Sequence, residues 1–361
     1  MEFSYLIIVW YGKYKRDLPW RRTSDPYLIW VSEVILQQTR VEQGLAYYER
    51  FTERFPDVGS LAEAGEDEVM KLWQGLGYYS RARHMHQAAK SIYDERRGQF
   101  PASYNELLKM KGIGEYSAGA ISSIAYGEPQ PVIDGNVMRV MARYTGITIP
   151  VNTAAGIKSI RVMLETLIDK EQPGVFNQAL MELGALVCKP KQPLCHLCPL
   201  TLECHAFLHN KTTELPVLKK STAFKTRYLH YLFIISNQNS RKYTWIKKRL
   251  GNDIWKNLYD FPLIESDHEM TDDDLYLSGE FQSMMAATDF HLLFSENRMK
   301  HLLSHQELIV RFFIIKVNDF KQEDCQKIIL GDLRNYPVPR LIENFLKKVH
   351  DRPGIFSENP D

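Results

Sequence analysis

Four of the five cysteines fall within one short stretch of the chain, at Cys188, Cys195, Cys198 and Cys204. Their spacing, C-x6-C-x2-C-x5-C, can bring four thiolates around one compact centre. Clustering of this kind favours a metal site over a framework of disulfide bonds. Zinc is a common occupant of four-cysteine sites, although those sites usually carry two separate, closely spaced pairs. The residues alone leave a zinc ion and an iron–sulfur cluster both open.

A single glutamate, Glu33, lies within an apolar helical pattern at 29–36. With a helical period, Ile29, Trp30 and Leu36 lie near it. Apolar surroundings disfavour the charged carboxylate, so they raise its pKa and let it act as an acid. The alternative is a solvated glutamate on the polar side of an amphipathic helix, where an isolated glutamate is usually found.

Two glycines, Gly112 and Gly114, separate one helical segment from the next. Such a turn can present bare backbone amides to a phosphate oxygen, but alone it is more simply an ordinary connection between helices. Asp134 follows further along the chain in V-I-D-G-N-V. By itself this aspartate is more often a helix N-cap than a functional carboxylate.

Taken together, the glycine turn, the aspartate and the cysteine run resemble the helix-hairpin-helix superfamily of DNA glycosylases that includes endonuclease III. The resemblance implies a [4Fe-4S] cluster on the four cysteines. It also implies that Asp134 faces the sugar C1′ and stabilises the positive charge that develops as the N-glycosidic bond breaks. Members that also cleave the strand carry a lysine where this chain has Tyr116. Because a phenol cannot form a Schiff base, we expect base removal without an efficient coupled lyase step.

Three further motifs are similar to those of the MutY family of adenine DNA glycosylases: L-P-W-R at 18–21, S-E-V-I-L-Q-Q-T at 32–39 and G-L-G-Y-Y at 75–79. This resemblance implies that adenine mispaired with 8-oxoguanine or guanine is flipped out of the duplex and removed by hydrolysis. Adenine leaves poorly as an anion, so the family's acid, here Glu33, protonates N7.

The same resemblance implies that Tyr116 helps Asp134 stabilise the sugar cation and that Asn136 orients the reacting groups. The implied catalytic residues are Glu33, Asp134, Tyr116 and Asn136, the implied adenine pocket is Trp20, Arg21, Leu36 and Gln178, and the implied wedge and DNA contacts are Gln38, Tyr78, Gly112 and Gly114.

The elements that must position these residues divide the chain in two. A helical pattern runs from Trp10 to about Phe207, with Asp25-Pro26 as one helix start signal. We predict a helix-hairpin-helix domain at 1–208 with its cluster loop at 188–204, a linker at 209–226, and an α+β domain at 227–361. In the last of these, the pattern predicts strands at 227–236 and 308–317, helices at 324–330 and 340–349, and a solvated acidic loop at 267–274.

Residues 251–262 resemble the W-x-x-L-x-x-F-P element of the Nudix-like domain that MutY proteins carry. No Nudix hydrolase box is present in the sequence, so we expect this domain to recognise rather than hydrolyse. The family's lesion-reading loop typically reads F-S-H, whereas this chain has Leu303 before Ser304 and His305. The resemblance implies 8-oxoguanine recognition by Thr39, Leu76, Ser304 and His305.

Composition and charge add little to these motifs. The chain has 361 residues, of which 44% are hydrophobic and 25% charged, as is typical of a folded protein of about two domains. Because its net charge is only +1, DNA binding must come from local patches and backbone amides. The early apolar run at 6–10 is too short to cross a bilayer. We expect a monomer of the bacterial cytosol that contacts double-stranded DNA and no membrane.

Two other functions fit part of the pattern. A thymine or uracil mismatch glycosylase of the same superfamily can share the tyrosine and the cysteine run, but Glu33 in the Q-Q-T helix and the second domain count against it. A mismatch-binding protein without catalysis is the other alternative. The presence of Glu33, Tyr116 and Asp134 together argues against it.

Overall fold

The structure is a computed structural model that describes residues 2–219, 225–286, 288–296 and 298–350. The chain forms two compact units, one of Met1–Ala64 with His84–Ser221 and one of Gly65–Arg83 with Thr222–Asp361. The first is mainly helical and the second is α+β, as the sequence predicted. The stretch Gly65–Arg83 groups with the second unit, and the domain limits 1–208, 209–226 and 227–361 stay a prediction. Positions 220–224 of the expected linker lie outside the described residues.

Twelve α-helices precede the sheet in the part of the chain that the structure describes. They are α1 (Phe3–Tyr14), α2 (Pro26–Leu36), α3 (Val41–Arg54), α4 (Val58–Glu63), α5 (Glu66–Leu72), α6 (Ser80–Arg96), α7 (Tyr104–Leu107), α8 (Glu115–Tyr126), α9 (Gly135–Thr145), α10 (Ala154–Leu167), α11 (Pro173–Leu186) and α12 (His205–Leu208).

Helix α2 begins where the sequence predicted. Asp25 caps it by accepting a hydrogen bond from the Tyr27 amide, and Pro26 occupies the first turn. Nearly every side chain of the helix is buried, so α2 lies inside the unit rather than on its surface. This placement carries Glu33 into the interior.

Helices α1, α9, α10 and α11 share one apolar core of the first unit. Asp134 caps α9 by accepting a 2.7 Å hydrogen bond from the Val137 amide, so the N-cap interpretation is confirmed. Helix α11 approaches α9 closely, because a Cβ on Gly184 would stand 2.6 Å from Asn136 Cβ. In the turn before α8, Gly112 has a φ of +76°, and a Cβ there would stand 2.4 Å from His84.

The second unit contains an eight-stranded sheet among the described residues. Its strands are β1 (Lys225–Gln238), β2 (Arg241–Lys248), β3 (Tyr259–Asp260), β4 (Leu263–Ser266), β5 (Phe290–Ser295), β6 (Met299–Leu302), β7 (Gln306–Val317) and β8 (Gln326–Ile329). The long strands β1 and β7 pair in parallel at its centre, and the other pairs are antiparallel. Helix α15 (Arg340–His350) packs on one face, and α13 (Asp272–Leu277) and α14 (Gly279–Met285) pack on the other.

Two predictions for the second unit are wrong. Within 324–330 the structure has strand β8 at Gln326–Ile329 and the start of a 3-10 turn at Leu330, not a helix, because pairing with β2 buries Ile328 against the sheet. The acidic stretch at 267–274 is only partly a loop. Asp272, Asp273 and Asp274 form the first turn of α13 behind the Thr271 cap, where negative charge is favourable.

No helix in the described part of the chain is long and apolar enough to cross a membrane.

Candidate active site

A cavity of about 400 Å³ opens within the first unit, where α2, α8, α9 and α11 meet. It gathers all eight of the residues that the family resemblance assigned to catalysis and to the adenine pocket. Those that line it are Trp20, Arg21, Glu33, Leu36, Tyr116, Asp134, Asn136 and Gln178, together with Thr39.

The carboxyl of Glu33 is 7% exposed. Burial raises its pKa to about 7, with a smaller contribution from the charge of Asp134, while a hydrogen bond from Tyr116 acts in the opposite direction. Glu33 Oε2 is buried and has no hydrogen-bond partner among the described residues. A carboxyl in this state holds a proton near neutral pH and has a free oxygen from which to give it.

Asp134 both caps α9 and faces the cavity. Its Oδ2 accepts a 2.8 Å hydrogen bond from Asn136 Nδ2. Burial raises the pKa of Asp134, and its bonds with the Val137 amide and Asn136 oppose this shift. Arg139 donates to Asn136 Oδ1 at 2.8 Å, which turns the amide nitrogen of Asn136 toward the aspartate.

Tyr116 lies in the first turn of α8, beside these two acids. Burial, followed by the charges of Glu33 and Asp134, raises its pKa well above the ordinary value. The phenol is therefore neutral at physiological pH and acts as a hydrogen-bond donor.

A second buried carboxylate, Glu182, lines the same cavity and was not singled out from the sequence. Both of its oxygens accept hydrogen bonds from Arg16 and Arg21, at 2.6 to 3.0 Å. Burial alone raises the pKa of Glu182, but the hydrogen bonds from Arg21 and then Arg16 lower it to about 2. The sequence does contain a pattern that could have predicted this residue, because Glu182 follows Gln178 by one helical turn in the apolar run A-L-M-E-L-G-A-L.

Tyr11 is the other residue that sequence reasoning missed. Its phenol donates a 2.6 Å hydrogen bond to Gln178 Oε1, and the guanidinium of Arg21 lies 5.5 Å from its ring centre. Tyr11 on α1 thus contacts two residues of the pocket lining, Gln178 on α11 and Arg21 in the turn before α2.

Several predicted site residues lie elsewhere. Gln38, Gly112 and Gly114 do not line this cavity, and Gln38 has a φ of +58° just after α2 ends.

A separate cavity of about 600 Å³ lies within the second unit. It gathers Leu76, Tyr78, Ser304 and His305, and it is also lined by Trp255, His301 and Gln306.

The two tyrosines of G-L-G-Y-Y differ in how much of each side chain is exposed to solvent. Tyr78 is 44% exposed with a φ of +49°, whereas Tyr79 is packed in the interior, as expected for a core residue. Leu303 is partly buried on the apolar core beside the sheet, so the position of the family phenylalanine stays apolar here.

The four clustered cysteines line one small cavity in the first unit. The described lining includes no carboxylate and no histidine, and Arg143 donates toward Cys188 Sγ at 3.4 Å. Burial raises the pKa of Cys198 to about 11. Among the described residues no group of three or more Cys, His, Asp or Glu side chains is arranged to hold a metal ion. The donor set, four soft thiols beside one cation, nevertheless fits an anionic thiolate-bound group.

The loop that carries these cysteines is joined to Asp134 through Arg139 and Asn136. Its Nε donates to the Cys188 carbonyl at 2.7 Å, while its Nη2 donates to Asn136. Asn136 in turn donates to Asp134. The position of the cysteine loop and that of the aspartate are therefore set by one shared side chain.

Comparison with known proteins agrees with this geometry. Residues 31–155 match the HhH-GPD superfamily of base excision DNA repair proteins, and residues 230–348 match the NUDIX domain. Among solved structures, a thermostable thymine-DNA glycosylase has a similar fold, with a TM-score of 0.53 and 26% identity over 57% of this chain and 95% of that chain.

Curated relatives extend over more of the chain. The adenine DNA glycosylase of Buchnera aphidicola subsp. Acyrthosiphon pisum is 32% identical over 360 residues, which is 96% of this chain and 98% of the relative. That of Homo sapiens is 42% identical over 209 residues, or 55% of this chain and 38% of the relative. The chain therefore belongs to the family of adenine DNA glycosylases, base-excision-repair hydrolases that release adenine by cleaving its N-glycosyl bond.

Proposed function

We propose that this enzyme removes adenine from pairs with 8-oxoguanine or guanine in double-stranded DNA and stops after base removal. The observation that carries the proposal is Glu33, a carboxyl with a pKa of about 7 and one unpartnered oxygen, in the same cavity as Asp134. A proton donor and an anion at one cavity meet the two needs of the reaction, since the base leaves neutral and the sugar becomes cationic.

In this mechanism Glu33 gives its proton to N7 of the extruded adenine and weakens the C1′–N9 bond. Asp134, held by Asn136 and the Val137 amide, stabilises the oxocarbenium-like sugar. The neutral phenol of Tyr116 donates a hydrogen bond within the same cavity. Water then adds at C1′ and gives a proton to the Glu33 carboxylate, which restores the acid and leaves an abasic sugar. Tyr116 offers no amine, so no imine forms and the strand stays intact.

The pocket recognises the base through an acceptor and a donor. The ionised carboxylate of Glu182 accepts from the amino group of adenine, and the amide nitrogen of Gln178 donates to a ring nitrogen. Trp20 and Leu36 add apolar surface to the lining. A 6-oxo purine presents an acceptor where adenine presents its amino group, and it faces repulsion from Glu182.

The base opposite adenine is read in the second unit. Its cavity holds Leu76, Ser304 and His305, and its two-residue hairpin tip presents a hydroxyl and an imidazole. 8-Oxoguanine differs from guanine by O8 and N7–H, both of which hydrogen-bond. Tyr78, which is exposed and in a strained backbone conformation, is the wedge residue of the second unit, and Gln38 is the wedge candidate of the first.

A [4Fe-4S] cluster on Cys188, Cys195, Cys198 and Cys204 completes the proposal. When bound, the cluster supplies a thiolate-held cross-link that orders its loop. Arg143 neutralises its negative charge, and Arg139 fixes the start of the loop relative to Asn136. The proposal includes action as a monomer in the cytosol, which size-exclusion chromatography and cell fractionation check.

A panel of duplexes tests this function. Single-turnover excision is measured with adenine opposite 8-oxoguanine, guanine, cytosine or thymine, and with thymine or uracil opposite guanine. We expect adenine release that is fastest opposite 8-oxoguanine, then guanine, without strand cleavage until alkali is added. Release of thymine or uracil in preference to adenine would instead support a mismatch glycosylase of the related type.

A further inference from the structure

The hairpin between β6 and β7 turns at Ser304 and His305. The Leu303 amide donates to the Gln306 carbonyl at 2.9 Å, which closes the turn. Both turn residues are exposed, whereas Gln306, the first residue of β7, is 5% exposed. The tip of the hairpin is therefore a pair of exposed polar side chains, and the side-chain amide of Gln306 that follows them is buried.

Four side chains form one continuous row of hydrogen bonds behind this tip. Arg227 Nη1 lies 3.4 Å from Gln306 Oε1, Gln306 Nε2 lies 3.0 Å from His305 Nε2, and His305 Nδ1 lies 3.1 Å from Ser304 Oγ. The hydrogen bonds connect the side chains in the order Arg227, Gln306, His305, Ser304. Every contact lies within the second unit.

Arginine fixes the direction of the row because a guanidinium can only donate. Gln306 must then present its oxygen to Arg227 and its amide nitrogen to His305. An amide nitrogen also can only donate, so His305 Nε2 must accept and carries no proton. The proton of the neutral ring is left on Nδ1, which donates to Ser304 Oγ.

Ion pairs hold the guanidinium of Arg227 in the position from which it donates to Gln306. Its side chain is 10% exposed and pairs with Asp253 at 2.7 Å and Glu265 at 2.7 Å. Asp253 is held in turn by Arg249. An arginine anchored by two carboxylates keeps its remaining N–H directed at Gln306 and does not exchange it readily for water.

We propose that Gln306, held by Arg227, is a positioning residue that fixes His305 as the Nδ1–H tautomer and so turns the hydroxyl proton of Ser304 into the cavity. The identity of the ligand there rests on the function proposed above. Ser304 Oγ accepts from the ring with one lone pair, so its O–H is free to donate to O8 of 8-oxoguanine. Its second lone pair accepts from N7–H. Guanine has neither O8 nor N7–H; its bare N7 can accept from the hydroxyl, so guanine keeps at most one of the two bonds.

The first test reads the tautomer in the full-length protein without DNA. Histidine labelled with ¹⁵N is observed by NMR at a pH where the ring is neutral, and the His305 signal is assigned by its absence from His305→Asn. We expect the Nδ1–H tautomer in the unsubstituted chain. Gln306→Glu presents an acceptor to Nε2 and should switch the ring to Nε2–H, whereas Gln306→Met should leave a mixture. Nε2–H in the unsubstituted chain would overturn the proposal.

The second test reads the consequence for binding. Affinity is compared for duplexes with 8-oxoguanine or guanine opposite a 2′-fluoro-adenosine, whose glycosidic bond resists cleavage. We expect Gln306→Glu to lower the preference for 8-oxoguanine by roughly 5-fold, the effect of about one hydrogen bond. In a Ser304→Ala background the same substitution should have no further effect, because it acts through the hydroxyl.

The two tests fail separately. A tautomer that switches with no change in preference would overturn Ser304 as the reader of the lesion, and with it that part of the proposed function. A loss of preference that is the same with and without Ser304 would show that Gln306 acts through the fold of the hairpin, and this would overturn its role as a positioning residue.

Discussion

The phenol of Tyr11 donates a 2.6 Å hydrogen bond to Gln178 Oε1 and thereby directs the amide nitrogen of Gln178 away from itself. Without this donor the side-chain amide of Gln178 can rotate by 180°. It then presents its oxygen to the base as often as its nitrogen. We predict that Tyr11→Phe slows single-turnover adenine release by roughly 5- to 10-fold, the effect of one hydrogen bond to a buried group.

The same variant should also narrow the discrimination between adenine and hypoxanthine in otherwise identical duplexes. Tyr14→Phe is the matched control, because Tyr14 lies on the same helix and is 61% exposed. Equal effects of the two substitutions would assign the loss to α1 as a whole.

Glu182 gives the first unit a defined sensitivity to acid. Its pKa in the folded protein, about 2, is below the ordinary value of 4.5, so its ionised form stabilises the fold above about pH 4.5. That contribution is lost as the pH falls from about 4.5 toward 2. Glu182→Gln leaves Arg16 and Arg21 without their partner and should lower the free energy of unfolding at neutral pH by roughly 3 kcal/mol.

Urea unfolding across this pH range checks the prediction. The variant should lose less stability on acidification than the unsubstituted chain does. Glu115→Gln is the control, because Glu115 pairs with Arg161 at the surface and its loss should cost less than about 1 kcal/mol. A variant that loses as much stability in acid as the unsubstituted chain would show that other carboxylates dominate.

Changing Ser304 and His305 together to Ala should reduce the preference for adenine opposite 8-oxoguanine over adenine opposite guanine. The side chains that we propose read O8 and N7–H are then absent, while the cavity around Glu33 is intact. Single-turnover excision on the two duplexes side by side measures the ratio. An unchanged ratio would mean that other residues, with Gln38, Thr39 and Leu76 as the candidates, read the lesion without Ser304 and His305.

The purified protein should be yellow-brown and contain about four irons per chain. Cys198→Ser should lose iron and weaken DNA binding, because the loop is no longer held together. Cys325→Ser should keep both the iron and the DNA binding, since Cys325 belongs to the second unit and the four clustered cysteines belong to the first. Metal analysis that finds one zinc and no iron would contradict the cluster.

The parts of the fold that follow from local pattern were predictable. Asp25-Pro26 marks the start of α2, the apolar run around Glu33 indicates its burial, and the long β-branched and aromatic runs indicate β1 and β7. The strand β8 was missed because it is short and has one buried residue, so pairing with β2 rather than local pattern decides it.

The site was predictable where a residue stands out from its neighbours, and not where it acts through a distant partner. Glu33 contrasts with an apolar helix, and Glu182 does so equally. Tyr11 lies 167 positions from Gln178, and no local pattern relates them. In the same way, the direction of the hydrogen bonds at Ser304 depends on Arg227, which only the parallel pairing of β1 with β7 brings near.

Glu33 is the acid of the proposed reaction, and the pH dependence of single-turnover adenine release reports on the protonation of that acid. An acid must be protonated, so the rate should be high below a pH of about 7 and fall as the pH rises through that value. Glu33→Gln should bind the duplex, release adenine at least ~10²-fold more slowly, and lose this pH dependence. Near-normal release by Glu33→Gln, with the same fall in rate near neutral pH, would contradict the account and assign the acid to another group.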